Sequence, residues 1–402
     1  MRIRHVSVLE PADRQVLADR RVAIENGRIT AVEPDDTAPL DAGDVDGDGL
    51  YALPGLIDCH VHLCGFTADE YAWSQASPSY VAASAAEEMR ATLRRGFTTV
   101  RDAGGADYGL NQAVDEGLLP GPHVFHSGKA LSQTGGHADL RPRGVREWDD
   151  APTRPGIGRI ADGVPEVRRA ARDEIRRGAS FLKLMVSGGV SSPTDRIDGL
   201  QFSDEEIAAA VDEARRAGRY VAAHAYTADA VSRALRLGVR TIEHGNLIDA
   251  DTAAEFAVRD AYYVPTLVAY TALLDEGVAA GMPEQNIAKA HEVYEAGENA
   301  LRLAHEAGAR IAFGTDLLGT MRRRQNEEFA IRARVQQPWD VLRSATCVGA
   351  DLLGHAGVIG TLRPGALADV VLVRHDPSAD VTVLADPEDE IAAVLFAGTR
   401  VA

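Results

Sequence analysis

Histidine, lysine and aspartate residues end several β-prone, mostly apolar segments of the chain. In chain order these positions are His60 and His62 of the segment His60-Val61-His62, then Lys183, His224, His244 and Asp316. Because successive side chains of a strand point to opposite faces, both imidazoles of the first segment lie on one face. Neutral imidazole suits zinc and similar divalent ions, and an aspartate can bind such an ion while holding a water. The residue types therefore predict a metal site, provided that the fold brings these positions together.

Lys183 is unusual because it lies within the apolar run Phe181-Leu182-Lys183-Leu184-Met185. An unpaired ammonium group is costly to bury, and desolvation together with nearby cations favours the neutral amine. A neutral lysine amine can react with CO2 to give an anionic carbamate, which could bridge two metal ions. Taken singly, a strand-end histidine is more often a hydrogen-bonded structural residue, and an aspartate a helix cap. Those explanations would all have to hold at once, so we favour the metal site.

A repeated unit accounts for the spacing of these residues. From about residue 54 to 355, amphipathic helices end at a glycine, and a short β-prone segment follows within a few residues. The helix-ending glycines are Gly96, Gly178, Gly218, Gly238 and Gly308. Glycine takes the left-handed conformation that closes a helix at little cost. This alternation predicts an α/β fold with a parallel sheet, and its length favours a (β/α)8 TIM barrel, whose functional groups lie at the carboxyl ends of the strands.

Both ends of the chain differ from this middle region. Near the N-terminus, two β-prone runs flank Asn26-Gly27, which is a strong signal for a β-hairpin. Near the C-terminus, β-prone runs occur at Val370-Val371-Leu372-Val373 and at Val394-Leu395-Phe396. We therefore expect a small β-sandwich domain built from residues 1–53 and 356–402, and a barrel domain over residues 54–355.

The composition argues against several classes of partner. The 402 residues carry a formal net charge of −18, which repels nucleic-acid phosphates and anionic lipids. The longest apolar runs are too short to span a membrane, and the N-terminus lacks the apolar core of a signal peptide. We expect a cytoplasmic protein that binds neither nucleic acid nor membrane.

The motifs resemble those of the amidohydrolase superfamily. The segment Leu53-Pro54-Gly55-Leu56-Ile57-Asp58-Cys59-His60-Val61-His62 looks like the opening motif of that superfamily, and Phe181-Leu182-Lys183, Ala223-His224-Ala225-Tyr226, Ile242-Glu243-His244-Gly245 and Gly314-Thr315-Asp316 follow in its order. Within it, Lys183-Leu184-Met185-Val186-Ser187-Gly188-Gly189-Val190 and Thr134-Gly135-Gly136-His137 resemble the imidazolonepropionase-like group. That group includes prolidase-type and arginine carboxypeptidase-type dipeptidases and xenobiotic amide hydrolases.

The resemblance implies a ligand set. One divalent ion, expected to be Zn²⁺, takes His60, His62 and Asp316; a second takes His224 and His244; and N6-carboxylated Lys183 bridges the two. Tyr226 and His137 match positions that approach the substrate carbonyl in this group. Tyr226 lies two residues after His224 and so points to the same face of the strand. His137 could equally be a loop histidine beside a Gly-Gly turn.

The implied reaction is hydrolysis of an amide or peptide bond. A hydroxide held by two divalent ions attacks the carbonyl, and Asp316 acts first as general base and then as general acid. The substrate would be a small-molecule amide: a dipeptide, an N-acyl amino acid or a xenobiotic amide. One alternative is a mononuclear cyclic-amidase or deaminase-type enzyme, although such enzymes lack a bridging lysine. Another is a non-catalytic barrel scaffold, although such relatives typically lose ligands and here every ligand is present.

Substrate identity is not determined by these motifs. The segment from about Asp139 to Asp162 is expected to be a loop near the site, and its arginines could meet a substrate carboxylate or remain solvated. These arginines are Arg141, Arg143, Arg146 and Arg154. Relatives commonly assemble, so we expect a homo-oligomer.

Overall fold

A computed structural model describes residues 1–36, 39–146, 154–192 and 194–402. Its strands are β1 (Arg2–Glu10), β2 (Gln15–Glu25), β3 (Arg28–Pro34), β4 (Val45–Asp46), β5 (Tyr51–Pro54), β6 (Leu56–Val61), β7 (Phe97–Asp102), β8 (His123–His126), β9 (Ala130–Ser132), β10 (Gly158–Ile160), β11 (Leu182–Met185), β12 (Val221–Thr227), β13 (Thr241–Leu247), β14 (Tyr262–Val264), β15 (Arg310–Ile311), β16 (Val370–Val373), β17 (Ile391–Phe396) and β18 (Thr399–Arg400).

Helices follow most of the central strands. They are α1 (Glu70–Gln75), α2 (Pro78–Arg94), α3 (Tyr108–Asp115), α4 (Gly163–Arg176), α5 (Asp204–Arg216), α6 (Ala228–Arg236), α7 (Ala250–Val258), α8 (Leu267–Glu276), α9 (Ile287–Glu306), α10 (Glu327–Arg332), α11 (Pro338–Ser344), α12 (Cys347–Leu352) and α13 (Pro387–Glu390), with short 3₁₀ turns at Glu284–Asn286, Gly319–Arg324 and Val381–Ala385. Within the described ranges, no helix combines the length and apolar character needed to cross a bilayer.

The central strands are parallel. One sheet has the order β6-β7-β8, and a second has the order β10-β9-β11-β12-β13-β14-β15. Backbone hydrogen bonds bridge the two sheets on both sides, from Ser180 N to His126 O at 2.8 Å and from Cys59 N to Phe313 O at 2.7 Å. Every residue of β6, β7 and β11 is buried, as expected for parallel strands covered by helices. The fold is thus of the α/β type that the alternating pattern predicts.

The helix-ending glycines behave as the sequence predicts. Gly96, Gly178, Gly218, Gly238 and Gly308 all have positive φ, between 67° and 95°. Each one closes a helix and turns the chain towards the next strand.

The two ends of the chain form one further sheet. Its order is β18-β17-β16-β5-β1-β2-β3, with β4 paired to β1, so β16 from the C-terminus pairs with β5 from the N-terminus. The hairpin between β2 and β3 turns at Asn26 and Gly27, which both have positive φ, as a type I′ turn requires. A separate apolar cluster lies against this sheet and draws on both ends of the chain, for example Ile3 and Leu395. β5 leads directly into β6 through Gly55, so this sheet is joined to the first central strand.

Candidate active site

Six residues of metal-binding or lysine type line one cavity beside the central strands. They are His60 on β6, His62 directly after it, Lys183 on β11, His224 on β12, His244 on β13 and Asp316, which follows β15. The four histidines and Lys183 are at most 4% exposed. The structure therefore brings together all the positions that the sequence motifs single out.

Two of the strands do not end where the sequence suggests. β12 and β13 each continue three residues past His224 and His244, to Thr227 and Leu247. The extension is irregular, because the β12–β13 register shifts between Ala225 and Thr227 and His244 itself has a φ of 77°. The histidines therefore occupy the last regular part of each strand.

Three non-glycine residues in and beside the cavity have a left-handed backbone conformation. His244, Thr266 and Asp316 have φ values of 77°, 49° and 53°, a region that non-glycine residues rarely adopt. Such conformations cost free energy and persist where the surrounding structure imposes them, most often at functional sites. Here they turn the side chains of His244 and Asp316 into the cavity.

Asp316 lies between the first two histidines. Its Oδ1 is 3.0 Å from His62 Nε2 and 3.4 Å from His60 Nε2. One candidate ligand atom from each of these three residues lies within 4.8 Å of the others. His244 is close by, with ring centroids 5.1 Å from His60 and 4.6 Å from His224.

Each of the four histidines has one ring nitrogen occupied by a protein oxygen. The pairs are His60 Nδ1 with Glu243 Oε2 at 2.7 Å, His62 Nδ1 with Gly104 O at 2.8 Å, His224 Nε2 with Gly188 O at 3.1 Å and His244 Nδ1 with Thr266 Oγ1 at 2.8 Å. Metal-binding histidines are held this way, because the bond to one nitrogen fixes the ring and leaves the other nitrogen for the ion. The donor set therefore fits divalent metal.

The protonation states fit as well. Burial lowers the pKa of His60 and His224 well below the ordinary value and that of His244 to about 3, so these rings are neutral. Burial opposes ionisation of Asp316, but the neighbouring His60 and His62 lower its pKa overall. The contact with Asp316 in turn raises the pKa of His62 against the effect of burial. The result is an ionised carboxylate beside three neutral imidazoles, those of His60, His224 and His244.

Lys183 is 2% exposed, and in the described part of the chain no carboxylate forms an ion pair with it. Burial lowers its pKa to about 8, against the attraction of Glu243 and Asp316. About a tenth of the side chain is therefore neutral amine at pH 7, far more than for an ordinary lysine, and this is the form that reacts with CO2.

A buried ion pair underneath the histidines was not anticipated from the sequence. Arg101 on β7 donates through Nη2 to both oxygens of Glu243 at 2.7 Å, and both side chains are fully buried. The same carboxylate holds His60 Nδ1, and Arg101 Nη1 donates to Thr241 Oγ1 at 3.1 Å. Glu243 directly precedes His244 in a buried strand. A charged residue at such a position is the sequence feature from which a buried ion pair could have been predicted.

His137 and Tyr226 also line the cavity. The His137 ring stacks on His224 with centroids 4.2 Å apart, and the Tyr226 ring meets His224 edge-on at 4.9 Å. The Tyr270 hydroxyl donates to the Tyr226 oxygen at 3.0 Å. His137 is thus packed within the site rather than in a solvated loop.

The four arginines of the loop that begins at Asp139 lie outside this cavity. Arg141 donates to Asp139 through Nε and Nη2, Arg154 Nε donates to Ser74 O, and Arg143 and Arg146 are exposed. None of these four lines the cavity that holds the histidines. Residues 147–153 of this loop lie outside the described residues.

Comparison with known proteins places this geometry in a family. The sequence model of the amidohydrolase family matches residues 51–401 of the chain. The chain belongs to the amidohydrolase family. The ochratoxinase of Aspergillus niger is 33% identical to it over 351 residues, which are 84% of this chain and 72% of that protein. The predicted superfamily is thereby confirmed.

Solved structures of amidohydrolases superimpose closely on the chain. A prolidase in complex with N-methylphosphonate-L-proline is 44% identical, covers 99% of this chain and 98% of its own, and gives a TM-score of 0.97. A Xaa-Pro dipeptidase with methionine bound in its active site is 29% identical, with the same coverage and a TM-score of 0.88. This amidohydrolase is therefore a dipeptidase-like hydrolase that acts on C–N bonds, which confirms the predicted enzyme class.

Proposed function

We propose that this amidohydrolase holds two divalent ions and cleaves the amide bond that precedes a C-terminal amino acid. The observation that carries the proposal is the convergence of four histidines, Lys183 and Asp316 in one cavity. The solved prolidase and Xaa-Pro dipeptidase relatives make proline the first residue to test at the C-terminal position. Dipeptides, N-acyl amino acids and xenobiotic amides are the substrate classes to compare.

The ions are assigned to two ligand groups. His60, His62 and Asp316, whose ligand atoms cluster within 4.8 Å, hold the first. His224 and His244 hold the second, and N6-carboxylated Lys183 bridges the two. Imidazole-rich sites with carboxylate ligands suit Zn²⁺. When bound, such ions lower the pKa of water from about 15.7 towards ~7 and so supply a nucleophile at neutral pH.

Asp316 moves the proton. Its carboxylate is ionised and reaches into the cavity, with a side chain 24% exposed, so it can accept a proton during attack on the carbonyl. The same carboxyl group then delivers that proton to the leaving nitrogen, which departs as an amine.

Tyr226 is the candidate donor to the substrate carbonyl oxygen. Its oxygen accepts the hydrogen of Tyr270, so its own hydroxyl hydrogen remains available. Burial raises the pKa of Tyr226 above its usual range, which keeps the phenol protonated. A neutral donor in this position would stabilise the oxygen as negative charge develops on it.

We also propose the finer architecture. The two bridged parallel sheets form a (β/α)8 barrel over residues 54–355, and residues 1–53 and 356–402 form a small β-sandwich domain. Assembly into a homo-oligomer and a cytoplasmic location remain predictions from the sequence.

The experiment is a substrate screen with zinc-reconstituted protein. Gly-L-proline, N-acetyl-L-proline, other dipeptides and N-acyl amino acids are compared with lactones and carbamates, and the released amino acid is quantified. Turnover of amides ending in a free amino acid supports the proposal, and hydrolysis confined to lactones or carbamates would overturn it. Elemental analysis tests the metal count, and mass spectrometry under native conditions tests Lys183 for added CO2, about 44 Da. Two equivalents of metal with modified Lys183 are expected for the bridged site, whereas one equivalent with unmodified Lys183 would favour the mononuclear alternative.

A further inference from the structure

A buried polar network holds one ring nitrogen and the backbone of His137. His137 Nδ1 lies 3.0 Å from Ser192 Oγ, and the Ser192 hydroxyl donates to Asp195 Oδ1. Ser192 is fully buried, and the Asp195 side chain is 6% exposed. His137 N donates to Gln201 Oε1 at 2.9 Å, so backbone and side chain of this histidine are both held.

Asp195 accepts hydrogen bonds from several directions. Gln201 Nε2 lies 2.9 Å and Gly189 N lies 3.3 Å from Oδ2, while Lys289 Nζ lies 3.4 Å from Oδ1. The Asp195 carboxyl oxygens therefore act as acceptors in all of these contacts. The contact with Ser192 then needs the hydroxyl hydrogen to lie between the two oxygens.

The hydrogen atoms can then be assigned. A serine hydroxyl has a single hydrogen, and the contact with Asp195 uses it. Ser192 Oγ can only accept from His137, so the hydrogen of the neutral imidazole lies on Nδ1. The remaining ring nitrogen, Nε2, keeps its lone pair.

Gly189 presses the backbone of the same loop against this ring. A Cβ atom added at Gly189 would lie 2.0 Å from His137 Cε1 and 2.3 Å from Nδ1. The ring is thus confined between the Gly189 backbone and His224, on which it stacks. Its orientation as well as its tautomer is set by the loop.

We propose that Asp195 is a positioning residue that acts through Ser192 to hold His137 as the Nδ1–H tautomer, with Nε2 offered to the substrate as a hydrogen-bond acceptor. This inference rests on the proposed function, because it takes the cavity that His137 lines to be the substrate site. It separates the roles of two cavity residues: Tyr226 donates to the carbonyl oxygen, and His137 accepts from an N–H or O–H group.

The tautomer is tested directly by NMR on the zinc-loaded full chain with ¹⁵N-labelled histidine. Long-range ¹H–¹⁵N correlations distinguish the Nδ1–H and Nε2–H forms, and the His137 signals are assigned by their absence in His137→Gln. We expect the Nδ1–H pattern in the unsubstituted protein, and its loss or mixing in Asp195→Asn. Asp198→Asn is the matched control, because Asp198 is an exposed residue of the same loop that pairs with Arg196. An Nε2–H pattern in the unsubstituted protein would overturn the proposal.

A double-mutant cycle tests the catalytic consequence. Asp195→Asn should lower kcat/KM by about 10–100-fold, the usual effect of removing an outer partner of a site histidine. The same change should cause little further loss in the His137→Gln background, because the residue through which it acts is absent. Equal losses in both backgrounds would show a general structural role and contradict the proposal. The NMR readout needs no turnover, so a protein that hydrolyses no amide would refute the proposed function while the tautomer is still decided.

Discussion

Replacing Glu243 with glutamine removes one negative charge from beneath the candidate metal site while keeping the shape of the side chain. Glu243 and Arg101 are both fully buried, and two 2.7 Å contacts join them. Arg101 stays charged in the variant, because no pH compatible with folding removes its proton. The change therefore leaves a buried guanidinium without its counter-charge.

The structure gives the expected magnitude. Breaking a buried ion pair by removing one partner costs about 3–5 kcal/mol, which is a large share of the ~5–15 kcal/mol that typically stabilises a folded protein. The remaining contacts of Arg101, to Cys59 O, to Thr241 Oγ1 and to the ring of Phe181 at 5.0 Å, cannot replace a full charge. The His60 Nδ1 bond also weakens, so metal affinity should fall by about 10–100-fold.

Urea unfolding of the metal-free protein measures the first effect, and competition with a zinc chelator measures the second. Glu295→Gln on the exposed surface of α9 is the matched control and should leave both unchanged. Adding Arg101→Met to Glu243→Gln should recover much of the lost stability, because the unpaired charge is then absent. An unfolding midpoint equal to that of the unsubstituted protein in the single variant would refute the reasoning.

Three further predictions concern the cavity itself. Asp316→Asn should retain zinc by elemental analysis but lower kcat by about 10²–10⁴-fold, because an amide cannot carry the proton, and near-native turnover would contradict this role. Lys183, with a pKa of about 8, loses its proton as pH rises, so recovery of activity by apoenzyme given zinc at one fixed concentration of dissolved CO2 should be faster at pH 9 than at pH 6.5, and equal rates would argue against carboxylation. Gly189→Ala should lower kcat/KM far more than Gly199→Ala. The Cβ added at Gly189 would lie 2.0 Å from the His137 ring, whereas at Gly199 the nearest atom is 3.2 Å away. Equal kcat/KM values for the two variants would count against a confined ring.

Much of the α/β pattern could be predicted because it depends on local chemistry. The glycines that close helices and the Asn26-Gly27 turn have backbone conformations that few other residues adopt without a cost in free energy. These positions can therefore be predicted from the sequence. β15 shows the limit: the β-prone run that follows Gly308 extends from Arg310 to Phe313, but only Arg310–Ile311 is regular strand. Phe313 N donates instead to Ser344 O, a contact between distant segments that no local pattern encodes.

The same division applies to the candidate site. The residues of metal-binding type were visible because histidine, lysine and aspartate are unusual in apolar strands. Their hydrogen-bond partners could not be predicted, because those partners are distant in sequence. Glu243 lies 183 positions from His60, and Ser192 lies 55 positions from His137. A serine or glutamate becomes recognisable as a partner only when tertiary folding brings it to the ring that it holds.

The pairing of β5 with β16 has a consequence for how the chain is made. Residues 51–54 leave the ribosome early, but the strand that covers their edge lies at residues 370–373 and is among the last to be synthesised. An exposed strand edge is a template for unwanted pairing with other chains. The nascent protein must therefore carry an open edge through most of its translation, and chains truncated before residue 370 should aggregate even though every metal-binding position has already been made.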